Sequence, residues 1–257
     1  MSAGSAVPQI EFTGVAKRYG DGRVVLNALN ISVSKGEFIS FLGPSGCGKT
    51  TILKLISGLT TPSEGTIRID GMTPAGARET VSYIFQDPTL LPWRTVTQNI
   101  GLGLELEGVA SPMRAKKVVE LLELVGLAHV AKAYPRELSG GMKMRVSIAR
   151  ALATNPRLLL MDEPFAALDE MSRDRLNEEV LRLRAEQGWT GVFVTHSVAE
   201  AVFLSTRVVV LAPNPGRIHA VLPIDLPSPR TSALRSTPEF DSTVARAAHS
   251  LRETLAQ

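Results

Sequence analysis

Residues 43–50, GPSGCGKT, decide the fold because they fit the pattern G-x-x-x-x-G-K-[ST] in full. A strand-like run, EFISFLG, leads into them, and KTTILKLISGL follows. The glycines let backbone N–H groups turn toward one anion, and the new helix points the positive end of its dipole at the same place. The stretch therefore predicts a phosphate-binding loop between a strand and a helix whose apolar residues, at helical spacing, are Ile52, Leu55, Ile56 and Leu59.

Within this loop, Lys49 is expected to reach the β- and γ-phosphates of a nucleotide, and the Thr50 hydroxyl is expected to ligate Mg²⁺. Cys47 allows two interpretations. It is either a small residue tolerated at a variable position, or a thiol activated by the helix N-terminus and Lys49 that alkylation would block and Mg·ATP would protect. The other residues expected to surround the phosphates are Gly43, Pro44, Ser45, Gly46 and Gly48.

Two adjacent acids end a second apolar run, LLLMDE, at residues 158–163. A carboxylate at the end of a buried strand near a phosphate loop can hold Mg²⁺ through water, which suits Asp162. Strand alternation predicts that Glu163 points the other way, where it could polarise the water that attacks the γ-phosphate. Alone, the pair would be a surface feature, and the phosphate loop upstream favours the catalytic interpretation.

His196 and Gln86 each close a strand-like run, GVFVTH and SYIFQ. A lone histidine is more often structural, but ligands gather at the carboxyl edge of such sheets, which makes His196 a catalytic candidate. Gln86 can bind a metal-bound water where the helical region begins, so it is a candidate nucleotide and metal contact.

The order of elements predicts an α/β fold with a largely parallel sheet, because buried apolar strands alternate with amphipathic helices. Residues 9–42 alternate apolar and polar side chains, as half-buried strands do. A helical insertion is expected over about residues 88–155, with Ser111 as a helix N-cap. The tail, residues 223–257, contains a possible helix near 239–256. The predicted apolar faces comprise Val118, Leu121, Leu122 and Val125 in the insertion, and Leu176, Val180 and Leu183 in a later helix.

Composition restricts the class of protein. The chain has 257 residues, a formal net charge of +3 and a single cysteine. This charge is too small to favour a nucleic-acid partner, and one cysteine excludes an internal disulfide framework. We expect a cytosolic protein without a signal peptide or a membrane span, since no run reaches 18 apolar residues and the N-terminus lacks a basic segment followed by an apolar one.

A second phosphate-binding pattern, LSGG at 138–141, precedes an amphipathic, arginine-rich run. Together with the loop at 43–50, Gln86, LLLMDE, ALD at 167–169 and His196, it resembles the ATP-binding subunit of ABC transporters over nearly all of residues 9–222. The resemblance implies a RecA-like P-loop NTPase core with an antiparallel β subdomain and a helical insertion subdomain. Its cofactors would be ATP and Mg²⁺.

The resemblance also implies a homodimer in which each ATP lies between the phosphate loop of one subunit and LSGG of the other. Ser139, Gly140 and Gly141 would then contact the γ-phosphate across the dimer, whereas alone they would be an ordinary helix N-cap. Asp169 would contact the partner subunit, and Thr51 would add a phosphate contact. Tyr19 would stack on adenine, or else pack in the early sheet.

One departure concerns the residues after LSGG. Members of the family usually carry glutamine where this chain has Met142, and often also where it has Met144. Methionine cannot supply an amide hydrogen bond. Backbone contacts to ATP are expected to persist, while the coupling or the rate of hydrolysis changes.

The stretches LLPWRTV, SGGM and PGRI are similar to bacterial importers of aliphatic sulfonates, taurine and nitrate. That similarity implies two membrane permease subunits, a periplasmic solute-binding protein acting through them, and a peripheral position on the cytoplasmic side of the inner membrane. Trp93 is expected to meet the membrane subunit, or else to fill the core of the helical region.

The sequence disfavours two other classes of P-loop protein. A soluble ABC ATPase acting on nucleic acid or ribosomes would need coiled-coil arms or tandem ATPase halves, for which 257 residues leave no room. A P-loop kinase or GTPase would lack LSGG, and the guanine-reading pattern N-K-x-D is absent from the sequence.

Overall fold

A computed structural model describes residues 7–20, 22–166 and 168–255. Two sheets and a set of helices account for its regular structure. The strands are β1 (Ile10–Arg18), β2 (Val24–Val33), β3 (Phe38–Leu42), β4 (Glu64–Ile69), β5 (Val81–Ile84), β6 (Leu158–Asp162), β7 (Thr190–Thr195), β8 (Arg207–Ala212) and β9 (Arg217–Pro223). The α-helices are α1 (Lys49–Ile56), α2 (Val96–Ile100), α3 (Leu102–Leu106), α4 (Ser111–Leu124), α5 (Gly140–Leu152), α6 (Glu170–Gln187), α7 (Val198–Leu204) and α8 (Pro238–Glu253).

The larger sheet has the strand order β5-β6-β7-β3-β8-β9. All neighbouring pairs are parallel except β8 and β9, which are antiparallel. This confirms the predicted α/β core. The sequence did not predict β9, whose residues are at most partly buried and lack the continuous apolar run of the central strands.

Strand alternation divides the core into two layers. In β6, Leu158 and Leu160 face α1 and the smaller sheet, while Leu159 and Met161 face the helical side. Both faces of the strand are covered, which is why its sequence is continuously apolar. Asp162 continues the series of Leu158 and Leu160 and so points toward the α1 side of the sheet.

The smaller sheet is antiparallel with the order β2-β1-β4, and Ile10 lies opposite both Val33 and Ile69. It corresponds to the antiparallel subdomain implied by the family resemblance. Glycine is required at position 65, where β4 lies beside β1, because a Cβ atom there would lie 2.3 Å from the carbonyl oxygen of Gly14.

The helices between β5 and β6, α2 to α5, lie within residues 96–152. The predicted apolar face of α4 is buried as expected, at Val118, Leu121, Leu122 and Val125. The N-cap prediction was wrong, because Ala110 is the cap and Ser111 is the first helical residue. Leu59 was also misplaced: α1 ends at Ile56, and the Leu59 side chain is exposed beyond that end.

The tail packs against the α/β core. Phe240 of α8 meets Phe203 of α7 edge-on, with ring centroids 6.4 Å apart, and the Arg235 guanidinium lies 4.0 Å from the Phe203 ring centroid. The helix predicted at 239–256 is thus present as α8, and residue 256 lies outside the described chain.

In α6, the predicted apolar side chains Leu176, Val180 and Leu183 are buried. Among the described helices, none combines the length and apolarity needed to cross a membrane.

Candidate nucleotide site

Three strand ends meet at one edge of the larger sheet. In the parallel register, Leu42 of β3 lies beside Thr195 of β7, and Val194 of β7 lies beside Asp162 of β6. The segments after these strands therefore start next to each other. Because β6, β7 and β3 are neighbours in the sheet, the phosphate loop, the acidic pair and His196 lie close together although they are far apart in sequence.

The loop at 43–50 wraps the N-terminus of α1. Gly48 is the N-cap and has φ of 98°, and a Cβ atom there would lie 2.4 Å from a Leu26 methyl carbon. Only glycine fits this conformation and this close approach. Lys49 Nζ donates to the carbonyl oxygens of Gly43 at 2.9 Å and Pro44 at 3.1 Å. Its ammonium group is therefore held over the mouth of the loop, where an anion would bind.

The acidic pair faces the loop with both carboxylates. Thr50 Oγ1 donates to Asp162 Oδ1 at 3.0 Å, and Glu163 Oε1 lies 3.7 Å from Lys49 Nζ. The prediction that Glu163 points away from Asp162 was wrong. Glu163 follows the last residue of β6 and has φ of 46°, so strand alternation no longer applies to it.

His196 comes directly after β7 and contacts the same glutamate. The distance from His196 Nδ1 to Glu163 Oε2 is 2.8 Å, and the Glu163 carboxylate accepts this hydrogen bond. The imidazole side chain is 63% exposed, but neither His196 nor Asp162 is among the described residues that line the neighbouring cleft. Burial of Asp162 raises the pKa of that carboxyl group, and hydrogen bonds from Thr50 and Tyr83 offset part of the increase.

A cleft of about 520 Å³ lies against these groups. Tyr19 is 44% exposed at its wall, with Lys17 Nζ 5.1 Å from the ring centroid, so the tyrosine is not a core residue. Arg23 and Val25 belong to the lining but were missed by sequence reasoning, although their position on the hairpin that carries Tyr19 could have indicated them. The remaining lining residues, all of them predicted, are Ser45, Gly46, Gly48, Lys49, Thr50, Thr51, Gln86 and Glu163.

The Cys47 side chain turns away from this cleft. It is fully buried in the apolar layer between β3, α1 and the smaller sheet, and burial raises the pKa of its thiol. The hypothesis of an activated, accessible thiol was therefore wrong. The effect of Lys49 on the thiol is smaller than the effect of removing it from water.

The LSGG stretch lies elsewhere on the surface. Ser139 is the N-cap of α5, and its Oγ accepts from Met142 N at 3.3 Å. Ser139 and Gly140 are exposed, and neither they nor Gly141 belong to the described lining of the cleft. Asp169 caps α6 by accepting from Ser172 N at 2.9 Å and is also exposed. Ala167 of the predicted ALD motif lies outside the described residues.

Comparisons with known proteins agree with this geometry. The family model described as ABC transporter matches residues 26–166, more than half of the chain. The chain belongs to the ABC transporter family. It is 44% identical to the aliphatic sulfonates import ATP-binding protein SsuB of Bacillus licheniformis, over 88% of each protein. It is also 44% identical to the nitrate import ATP-binding protein NrtD of Synechocystis, over 84% of each.

Among solved structures, the ABC transporter fold is matched by the dimeric ATP-binding cassette MJ0796 in a post-hydrolysis state with ADP and Pi. The TM-score is 0.78 at 31% identity, covering 84% of this chain and 99% of that one. The chain is accordingly an ABC ATPase. Neither of the two curated relatives is named for an action on nucleic acid or ribosomes.

The oxygen donors of this ABC ATPase fit Mg²⁺. Mg²⁺ prefers one or two carboxylates and hydroxyl or phosphate oxygens over a cage built entirely from protein. The Thr50 hydroxyl and the Asp162 carboxylate are hydrogen-bonded to each other, and Gln86 lines the same cleft as Thr50. One buried carboxylate beside one hydroxyl leaves the other positions of an octahedral ion for water and phosphate.

Proposed function

We propose that this chain hydrolyses Mg·ATP at the described cleft and thereby drives import of a small solute such as a sulfonate, taurine or nitrate. It would act as a homodimer beneath two permease subunits, on the cytoplasmic face of the inner membrane. A periplasmic solute-binding protein would deliver the solute to the permease. The observation that carries the proposal is the meeting of Lys49, Glu163 and His196 within hydrogen-bond or ion-pair distance at one sheet edge.

Hydrolysis would use Glu163 as the general base. Its carboxylate can accept a proton from the attacking water. The contacts of Oε2 with His196 and of Oε1 with Lys49 fix the orientation of this carboxylate. Lys49 would leave the Gly43 and Pro44 carbonyls for the β- and γ-phosphates, and the Thr50 hydroxyl and Asp162 would hold the metal. Mg²⁺ bound there would supply neutralisation of the phosphate charge. Tyr19 would stack on the adenine, and Gln86 would contact the metal-bound water.

A homodimer would complete each site. The N-terminus of α5 does not belong to the described lining of the cleft in its own subunit. The residues at this N-terminus are Ser139, Gly140 and Gly141. An isologous pair would place this N-terminus against the phosphates bound by the partner, and Asp169 near the partner surface. The solved cassette MJ0796 is a dimer, which supports the same arrangement here.

The permease would dock at a groove beside Trp93. Trp93 is 71% exposed, so it does not fill the core of the helical region. It borders a cavity of about 600 Å³ between α2, α3 and α4. An exposed aromatic side chain at the edge of a groove is a typical anchor for a short partner helix.

The proposed solute class comes from the relatives. One is named for aliphatic sulfonates and the other for nitrate, and both solutes are small anions. In the proposed assembly the permease and the binding protein select the solute.

The proposal is tested by recovering the tagged chain from detergent-solubilised membranes of its host and identifying what comes with it. We expect a polytopic permease whose neighbouring periplasmic protein binds a small solute such as a sulfonate, taurine or nitrate. Recovery only from the soluble fraction, together with ribosomes or DNA, would contradict the importer while leaving the ATPase intact.

A further inference from the structure

We propose that Tyr83 is a positioning residue for the metal-binding carboxylate of Asp162. Tyr83 lies on β5, the strand next to β6, and its hydroxyl donates to Asp162 Oδ2 at 3.0 Å. This inference rests on the proposed Mg²⁺ site, to which it adds a residue that neither the sequence patterns nor the cleft lining indicated.

The two oxygens of Asp162 have separate partners. Oδ1 accepts from Thr50 Oγ1, and Oδ2 accepts from the Tyr83 hydroxyl, both at 3.0 Å. A carboxylate held at both oxygens cannot rotate freely about its terminal bond. Tyr83 thus keeps Oδ1 directed at Thr50, which is the side where the metal and its waters would lie.

The burial of this carboxylate makes the second hydrogen bond important. Asp162 is only 6% exposed, so little water can reach Oδ2 if the phenol is removed. Hydrogen bonds to charged, buried acceptors contribute more than those between neutral groups, and an unpaired buried charge is costly. Loss of the hydroxyl should therefore let the carboxylate turn toward other donors and away from the metal.

The Tyr83 ring is itself fixed. It stacks on Phe85 with ring centroids 4.1 Å apart and an angle of 22° between the planes. Tyr83 also pairs with Leu160 of β6 in the parallel register, two residues before Asp162. Gln86 follows Phe85 directly. Residues 83–86 therefore include both the tyrosine that binds the Asp162 carboxylate and the residue predicted to contact the metal-bound water.

The test measures nucleotide binding without turnover. A fluorescent ADP analogue is titrated onto the full-length protein in EDTA and at increasing Mg²⁺, for wild type and for Tyr83→Phe, which keeps the stacked ring. We expect Tyr83→Phe to leave the affinity in EDTA unchanged and to raise the Mg²⁺ concentration for half-maximal enhancement about tenfold. Tyr134→Phe, which removes a phenol outside the cleft, should match wild type.

A double-mutant cycle with Asp162→Asn separates positioning from simple packing. If Tyr83 acts through Asp162, Tyr83→Phe should have no further effect on the Mg²⁺ requirement in the Asp162→Asn protein. An unchanged Mg²⁺ requirement in the single variant, or an equal loss in both backgrounds, overturns the inference. Wild type that gains no affinity from Mg²⁺ overturns the proposed metal site as well, so the two failures are distinguishable.

Discussion

Glu163 and His196 form a hydrogen-bonded pair, with Oε2 of the carboxylate 2.8 Å from Nδ1 of the imidazole. They come from two neighbouring strand ends of the same sheet, and each residue follows its strand directly. The other carboxylate oxygen lies near Lys49. A carboxylate held at both oxygens is oriented before substrate binds, which would reduce the reorganisation needed for its proposed role as general base.

Replacing Glu163 by Gln should remove the base and keep the shape of the site. We expect ATP turnover to fall about 100-fold or more, with nucleotide affinity preserved, because general-base catalysis contributes factors of this size. Sedimentation with ATP should show a persistent dimer, since hydrolysis no longer releases it. Glu120→Gln, which neutralises an exposed acid on α4, is the control. Undiminished turnover in Glu163→Gln would remove the residue from the mechanism.

Replacing His196 by Ala should lower turnover without lowering thermal stability. We propose that the exposed imidazole of His196 steadies the γ-phosphate, so the variant would lose that contact, and Glu163 would lose the partner of Oε2. We expect turnover to fall about 10- to 1000-fold while the melting temperature stays near wild type, because a largely exposed side chain contributes little to the core. A large loss of thermal stability, measured by calorimetry, would instead assign His196 a structural role.

The composite dimer site predicts rescue between two inactive variants. Lys49→Ala disables the phosphate loop, and Ser139→Arg blocks the helix N-terminus of α5. Each homodimer should be inactive, because both of its sites carry the defect. A mixed dimer has one site with both defects and one site with neither, so mixing should restore part of the ATPase rate.

This rescue should rise with the fraction of mixed dimers and approach half of the wild-type rate per dimer if the two sites act independently. The control is either variant mixed with itself. If mixing restores nothing although mixed dimers form by cross-linking, the LSGG stretch does not act in the partner's cleft.

The sequence located the segments that meet at the candidate site, and one buried helix face, because these features depend on local spacing. The phosphate loop, the acidic pair and α4's buried face were all found in this way. What it missed depended on contacts between distant segments. The hydrogen bond from Tyr83 to Asp162 joins two strands whose pairing no single segment reveals, and β9 is too weakly buried to show a strand pattern.

Two sequence interpretations failed for a local physical reason. Strand alternation was extended one residue too far at Glu163, where the backbone enters the left-handed region. One of the two interpretations of Cys47, an activated thiol at a helix N-terminus, also failed, because its side chain points into the layer under the loop. In both cases backbone direction at the end of an element decides what a side chain meets, and sequence spacing does not specify that direction.

The burial of Cys47 predicts slow reaction with thiol reagents. Because burial removes access and raises the pKa of the thiol, little thiolate forms near neutral pH. We expect the native protein to react with a chromogenic disulfide at least about tenfold more slowly than the protein in denaturant, with or without Mg·ATP. Fast labelling of the native protein that Mg·ATP suppresses would instead place the thiol in the cleft.

Trp93 should be required for assembly and dispensable for the fold. Trp93→Ala removes a large exposed aromatic side chain, so we expect the melting temperature and the ATP affinity to stay unchanged. Copurification with the permease should be lost, which is measured as the amount of permease recovered per tagged chain. Leu59→Ala, which truncates an exposed apolar side chain outside the groove, should recover as much permease as wild type. Since interface anchors often contribute 2 kcal/mol or more, recovery should fall by about 30-fold. Equal recovery with both variants would show that the permease binds elsewhere.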